Sequence, residues 1–412
     1  MDFLTTNNLI NSRQHGLMKK KACVTNLLET LDFLTKCHWL KIPVVIAFID
    51  FLKAFDLVSH KRLLFKLSCY GINGSLLAWI ASFLEDRTQR VVMGNVISSW
   101  EKVTSGVSQG SVLGPILFII FINEISELLI YLNELYADDT KLMREIKSDS
   151  DVTILQGDID KIVEWTRKWL MKLNENKCKV MYIGGGNEKN IFTIESYDGS
   201  IRTNLIETTL ERDLGIMISA DLKWRQHVMH CANKANKILG MLSRTFEYRD
   251  LELIKSLYTT FVRPHLEFAV AVWSPYLKGD IDVLERVQRR ATKLVPSLKK
   301  LDYKKRLEAM GLTELELRRE RGDLIQLYKL FHDIDNVIWP ATTNLTVNME
   351  PVVSRRHGVQ LTKELVKHSA PRYNFFSNRV VNNWNNLPSD VAYAPTLNSF
   401  KAQIDDLKYK QN

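Results

Sequence analysis

The chain has only five cysteines in 412 residues, Cys23, Cys37, Cys69, Cys178 and Cys231, and no two stand at Cys-x-x-Cys spacing. So odd and scattered a set excludes a disulfide framework or a zinc module as the basis of the fold, and suits a reducing, intracellular compartment, nuclear or cytoplasmic. Long apolar runs are also missing. The longest, Val112 to Ile122, contains Gly114 and Pro115 and falls well short of the ~20 residues that span a bilayer. Asp2 follows the initial Met1 and no basic-then-apolar leader appears, so a soluble, non-secreted chain without a membrane partner is expected. Neither a repeat array nor a low-complexity linker is present. What remains is an ordinary folded composition, 45% hydrophobic and 25% charged, with length for two or three domains.

Charge is moderately positive and unevenly placed. Lys and Arg number 56 against 47 Asp and Glu, a formal +9. Residues 221–330 hold 22 of the basic and 14 of the acidic residues, so most of the excess lies in one stretch. Such a stretch is either an electrostatic footprint for a phosphate backbone or a solvated helical face.

Two adjacent carboxylates, Asp138 and Asp139, sit inside the apolar run Leu135 to Leu142. Burying such a pair without a counter-charge is costly, and a divalent cation would supply one. Asp50 closes the β-branched run Val44 to Ile49, which suits a buried strand, and offers a third carboxylate. Oxygen-only donors suit Mg²⁺, and three carboxylates suit two-metal phosphoryl transfer. Because successive strand residues face opposite ways, Asp138 is expected to ligate with Asp50 while Asp139 supports them. Asp56 is placed to N-cap the following helix.

Periodicity predicts a helix around Thr25 to Leu34, with Thr25 as its cap, and helices over 60–70 and 75–84. A hairpin follows across Gln89 to Ile97 with Gly94-Asn95 at its turn, and an apolar helix from about Leu113 to Leu132. The small-residue loop Val103 to Ser111 lets backbone approach a ligand at Gly106 and Gly110. Residues 135–142 form a second hairpin. Ser150 to Leu173 is a long amphipathic helix whose Trp165 and Trp169 are expected in the core. Short β runs around Gly184-Gly185-Gly186 lead to successive helices to about 335.

In order, these motifs resemble those of the reverse transcriptases of non-LTR, LINE-type retrotransposons. FIDFLKAFDLVSH at 48–60 and YADDTKL at 136–142 look like the two catalytic motifs. SGVSQGSVLGPILFIIFINEI at 105–125 looks like the template and nucleotide-positioning motif, and 173–184 and 211–224 like those that complete the palm. Downstream, RPHLEFAVAVWSP, LERVQRRATKLV and RYNFFSNRVVNNWNNLP are similar to the thumb and C-terminal regions of jockey and chicken-repeat-like elements.

The resemblance implies an α+β right-hand polymerase palm, an antiparallel sheet with helices on one face, with partial fingers and a helical thumb. Its expected domains are 1–40 (partial fingers), 41–224 (palm), 225–335 (basic helical thumb) and 336–412 (C-terminal region). It implies an RNA-directed DNA polymerase using two Mg²⁺ ions, or Mn²⁺, with an RNA template, a DNA primer and deoxynucleoside triphosphates as partners. Asp50, Asp138 and Asp139 would hold metal, and Lys177 would protonate or neutralise pyrophosphate. Phe55 would exclude a ribose 2′-hydroxyl, and Gln109 and Gly110 would contact template and nucleotide. The chain departs from the family pattern at Ser108, usually proline, at Leu52, usually serine, and across Leu17 to Lys21. With only 49 residues ahead of Asp50, an N-terminally truncated remnant that binds nucleic acid without catalysing is the alternative. A palm-type cyclase is disfavoured by the SGVSQG segment and the basic helical block.

Overall fold

A computed structural model describes residues 2–130, 133–185, 190–341, 358 and 360–409. They fall into two compact units, Met1–Asn26 with Ile42–Thr208, and Leu27–Lys41 with Thr209–Asn412.

In the first unit, α1 (Asp2–Thr6) and the first turn of α2 (Cys23–Leu40) precede β1 (Val44–Ile49), whose residues are buried except Phe48. Six apolar, mostly β-branched residues are too few for a helix and suited to a strand covered on both faces. Then come α3 (His60–Cys69), α4 (Gly74–Leu84), four two-residue strands β2 (Thr88–Gln89), β3 (Val92–Met93), β4 (Val96–Ile97) and β5 (Glu101–Lys102), then α5 (Leu113–Ile122) and α6 (Ile125–Leu128). A hairpin of β6 (Asn133–Tyr136) and β7 (Asp139–Glu145) leads to α7 (Asp149–Trp169), β8 (Lys179–Ile183), β9 (Thr193–Glu195), β10 (Arg202–Asn204) and β11 (Ile206–Glu207).

Five of these strands make one sheet in the order β11-β8-β1-β7-β6. β1 runs antiparallel to β7, Ile49 opposite Thr140, and to β8, Val44 opposite Ile183. The short β11 alone is parallel to its neighbour. Alternate β1 residues Val45, Ala47 and Ile49 share one apolar core with Leu63 of α3, Phe118 of α5 and Ile162 of α7, which places these helices over that face. This is the expected α+β arrangement. Trp165 and Trp169 are both buried, with the Phe121 ring edge-on to each, as their helical spacing predicts.

Four local expectations fail. The apolar helix ends at Ile122 rather than near Leu132, because Asn123 turns inward. Its amide accepts the Asn11 N–H at 2.8 Å and donates to the Leu9 carbonyl and the Tyr70 hydroxyl. Asp56 does not cap α3, which begins at His60 with Ser59 at the cap position. Thr25 lies inside α2, its hydroxyl bonded to Ala22. α7 begins where the Asp151 carboxylate accepts the Ser148 N–H at 2.9 Å, and ends at left-handed Leu170, short of Leu173. Gly186 of the predicted glycine run lies outside the described residues.

The second unit contains the rest of α2 from Leu27 and a hairpin of β12 (Leu210–Asp213) and β13 (Ile216–Ser219). Helices follow: α8 (Arg225–Thr245), α9 (Leu251–Leu257), α10 (Pro264–Glu267), α11 (Lys278–Thr292), α12 (Tyr303–Met310) and α13 (Leu315–Phe331). The inward face of α8 carries His227, Val228, Cys231, Ala235, Leu239 and Leu242 at helical spacing. His227 accepts the Met217 N–H at Nδ1 and lies edge-on to Trp273, and burial pushes its pKa down to about 3.

The C-terminal helices α14 (Ala370–Tyr373), α15 (Phe376–Asn385), α16 (Ser389–Ala392) and α17 (Leu397–Tyr409) complete this unit. Their anchor is Arg372, fully buried, with Nη1 2.7 Å from Asp32 of α2 and Nε 2.6 Å from Glu364. Arg379 likewise pairs with Asp323 of α13 at 2.8 Å. Among the described residues, no helix is long and apolar enough to cross a membrane.

Candidate active site

The antiparallel pairing of β1 with β7 decides where the carboxylates meet. Ile49 lies opposite Thr140 and Tyr136 opposite Asp139, leaving Ala137 and Asp138 as the two-residue turn of the β6–β7 hairpin. Asp50 follows directly on Ile49, at the same end of the sheet. Burial raises the pKa of Asp138, and the charge of Asp50 raises it further, against a lowering contribution from the Asp138 backbone. Two carboxylates thus repel each other across neighbouring strand ends. Among the described residues no cation pairs with either.

Asp138 and Asp139 do differ, but not through strand alternation. Asp138 is half-buried in the turn, whereas Asp139 is exposed and opens β7. The turn places Ala137 at φ 57°, a left-handed conformation that a non-glycine residue adopts at a cost. What stabilises it comes from the N-terminal segment. Gln14 Oε1 accepts the Ala137 N–H at 3.0 Å and the Gly16 N–H at 2.7 Å. The Arg13 carbonyl and the His15 N–H bond to Leu135 on either side of a Gln14–Leu135 bridge. Gly16 lies so close that a Cβ there would sit 2.5 Å from the Ala137 nitrogen. Tyr136, hydrogen-bonded to Cys23, has its phenol pushed up to about 12.

Asp50 is held by its backbone. Its N–H donates to Cys178 Sγ at 3.4 Å and its carbonyl accepts the Asn174 N–H at 2.8 Å. Burial pushes the Cys178 thiol up to about 11, so it stays neutral beside the carboxylate. The turn from Asn174 that supports Asp50 also carries Lys177, which is exposed. Loop and strand therefore form one cradle.

Phe55 is half-buried in the turn after Asp50, its ring stacked on Phe118 at 4.2 Å and 15°. Beside it, Gly106 adopts φ +92° where a Cβ would come within 2.8 Å of the Asp56 carbonyl. Gly106 and Val107 donate to the Val58 and Phe55 carbonyls, fastening the small-residue loop to the turn after Asp50. Gln109 and Gly110 are exposed on that loop. Gln109 Nε2 lies 3.5 Å from Asp56 Oδ1, and both line a cleft of about 680 Å³ with Lys53, Arg87 and Lys102.

The predicted residues thus form two groups. Asp50 and Asp138 are brought together with the Lys177 turn behind Asp50, while Phe55 lies in the turn after Asp50 and Gln109 and Gly110 on the loop bonded to that turn. Sequence reasoning missed Gln14 and Gly16, which lie in a polar, aperiodic stretch without a signal. It missed Asp56 as a cleft residue by reading it as a helix cap. Cys178 carries no sequence signal beyond being one of five scattered cysteines.

Residues 1–241 match the protein family described as reverse transcriptase (RNA-dependent DNA polymerase). The chain is 25% identical over 295 residues to the RNA-directed DNA polymerase from mobile element jockey of Drosophila melanogaster, covering 68% of this chain and 31% of that one. It is 23% identical over 320 residues to the probable RNA-directed DNA polymerase from transposon BS of the same fly, covering 71% and 33%. The chain therefore spans about a third of the length of these curated relatives. Among solved structures, apo telomerase from Candida tropicalis is similar with a TM-score of 0.42 and 11% identity, covering 75% of this chain and 52% of that one.

Proposed function

The chain belongs to the reverse transcriptase (RNA-dependent DNA polymerase) family, and on that premise we propose that it extends a DNA primer with deoxynucleotides on an RNA template, as part of a non-LTR retrotransposon polymerase. The observation that carries this reading is the Asp50–Asp138 pair, two mutually repelling carboxylates at adjacent strand ends without a protein counter-cation among the described residues. The two carboxylates supply oxygen donors and the neighbouring Cys178 thiol stays protonated, which fits a hard divalent cation. Asp50 and Asp138 would hold two Mg²⁺ ions, with Asp139 supporting. When bound, the ions supply charge neutralisation at the triphosphate and a lowered pKa for the primer 3′-hydroxyl.

The remaining roles belong to the chain's own side chains. The 3′-hydroxyl attacks the α-phosphorus and pyrophosphate leaves, and Lys177 offers that leaving group a proton. The Phe55 ring, fixed against Phe118, forms a floor under the sugar and rejects a 2′-hydroxyl. Gln109 and Gly110 contact template and nucleotide from a loop that Gly106 fastens to the turn after Asp50. In this reading residues 1–40 are a partial fingers segment whose Gln14 also pins the catalytic turn, 41–224 form the palm, and the basic helices within 225–335 serve as the thumb.

Primer extension tests this. With poly(rA)/oligo(dT) and Mg²⁺, the chain is expected to add dTMP, and Asp50→Ala or Asp138→Ala to abolish addition. Salt-sensitive RNA binding without extension by the unsubstituted chain would replace this reading with that of a binding remnant.

A further inference from the structure

Residues Arg87 to Val103 form a ribbon that the polymerase reading leaves unused. Its base is closed by the Val103 N–H on the Arg87 carbonyl at 2.8 Å, its middle by the Ser98 N–H on Val91, and its strands pair as β2 with β5 and β3 with β4. Gly94, at φ 59°, makes the turn. Every residue from Thr88 to Lys102 is exposed. Gly94 is six residue steps from Thr88, so at ~3.3 Å per residue the ribbon extends about 20 Å from its base.

Its surface is unusual for a free ribbon. Val91 is 70% exposed, Met93 76%, Val96 69% and Trp100 59%. A two-stranded hairpin is marginal in water, and an uncovered apolar tip makes it more so. Arg90 lies over the Trp100 ring at 4.5 Å, a stacked cationic plate part-way along. At the base, Arg87 and Lys102 with Lys53 line the same cleft as Gln109. Glu101 is the ribbon's one acidic residue among these cations.

A partner must therefore offer negative charge near the base and flat apolar surface near the tip. Nucleic acid offers both, but in a duplex the base faces are covered except at an end or fork. Apolar side chains open such steps by stacking against an unpaired face, and aromatic–cation plates carry a single strand. Resting on the polymerase reading, we propose that residues 88–102 are a strand-separating wedge: the tip of Val92, Met93, Val96 and Ile97 stacks on the first base pair of a duplex ahead of the cleft. The freed template strand passes over Arg90 and Trp100 toward Gln109.

The test uses the full chain and a primer–template whose downstream duplex carries 2-aminopurine in its first pair. The variant replaces Val92, Met93, Val96 and Ile97 by Ser and keeps Gly94-Asn95; all four side chains are exposed, and a thermal melt checks that the body is unchanged. A second variant is Trp100→Ala. Saturating wild-type protein is expected to raise the fluorescence at least twofold. The serine variant should lose more than half of that rise while binding an open template within twofold of wild type, and Trp100→Ala should fall between. Equal opening by the serine variant, no rise with wild type, or absence of fork binding would each overturn the wedge. So would wild type self-associating in sedimentation through the ribbon without opening the fork, which would make the partner a second copy. Extension on an open template is read separately: fork opening without extension leaves the wedge standing and removes the polymerase reading.

Discussion

Gly16→Ala is a one-carbon change about 120 residues in sequence from the turn it disturbs. The added Cβ would stand 2.5 Å from the Ala137 nitrogen, 3.2 Å from its Cα and 3.0 Å from Gln14 Oε1. Carbon contacts are comfortable near ~3.5 Å, so the turn must retreat by roughly 1 Å. Backbone atoms lie on both sides, and the Gln14–Ala137 bond that stabilises the left-handed Ala137 would lengthen as they part. Overpacking of this kind costs about 1–3 kcal/mol. Asp138 rides on the same turn, and a ~1 Å displacement of a catalytic group costs on the order of 100-fold in rate. Gly157→Ala is the control: a Cβ there meets nothing within 4 Å, and a helical Gly→Ala is worth about 0.5–1 kcal/mol in favour of folding. Urea denaturation and single-turnover primer extension read the two effects. Wild-type stability and rate in Gly16→Ala would refute the claim that the N-terminal segment holds the catalytic turn.

Phe55→Val removes the ring stacked on Phe118 and should raise ribonucleotide over deoxynucleotide incorporation by ~10–100-fold; competition extension with unchanged sugar selectivity would remove Phe55 from the gate. Arg372→Ala leaves Asp32 buried without its 2.7 Å partner, for an expected loss of about 3–5 kcal/mol in denaturant melts; a loss below ~1 kcal/mol would contradict the anchoring role. His227, ordinarily near 6.5, is pushed down to about 3 in the folded chain. The unfolded chain therefore binds more protons between these values. Stability is complete above pH 6.5 and falls as pH drops, by about 2 kcal/mol between pH 6.5 and 5. His227→Phe should flatten that slope, and an unchanged slope would place the acid sensitivity elsewhere.

Much of the first unit was legible in local pattern. β1 announces itself by six apolar residues between Pro43 and Asp50, and the tryptophans of α7 by their spacing. The two hairpins follow from Gly94-Asn95 and from apolar residues flanking the acidic pair. The distinction between Asp138 and Asp139 was anticipated for the wrong reason: the backbone turns between Tyr136 and Asp139, so a turn residue and a strand residue differ, not two strand faces. Illegible features depend on long-range partners. Asn123 ends α5 because Leu9, Asn11 and Tyr70 await its amide, and nothing around it signals a stop. Arg372 finds Asp32 across 340 residues, a pairing that local periodicity cannot encode. Asp56 has the residue type and position of a helix cap, yet the turn after Asp50 runs three residues further and delivers it to the cleft.

If Asp50 and Asp138 form one cation site, thermal melting of wild type and Asp138→Asn at pH 7.5, with and without Mg²⁺, reports it. Asp138 has a raised pKa, so its ionised form is disfavoured in the folded chain and its cost to stability appears as pH rises above the ordinary carboxylate range. Without metal, Asp138→Asn should therefore melt above wild type. With Mg²⁺, wild type should gain stability by mass action while the variant gains little. A wild type that melts higher than the variant without metal, or an equal Mg²⁺ shift in both, would rule out a shared Asp50–Asp138 cation site.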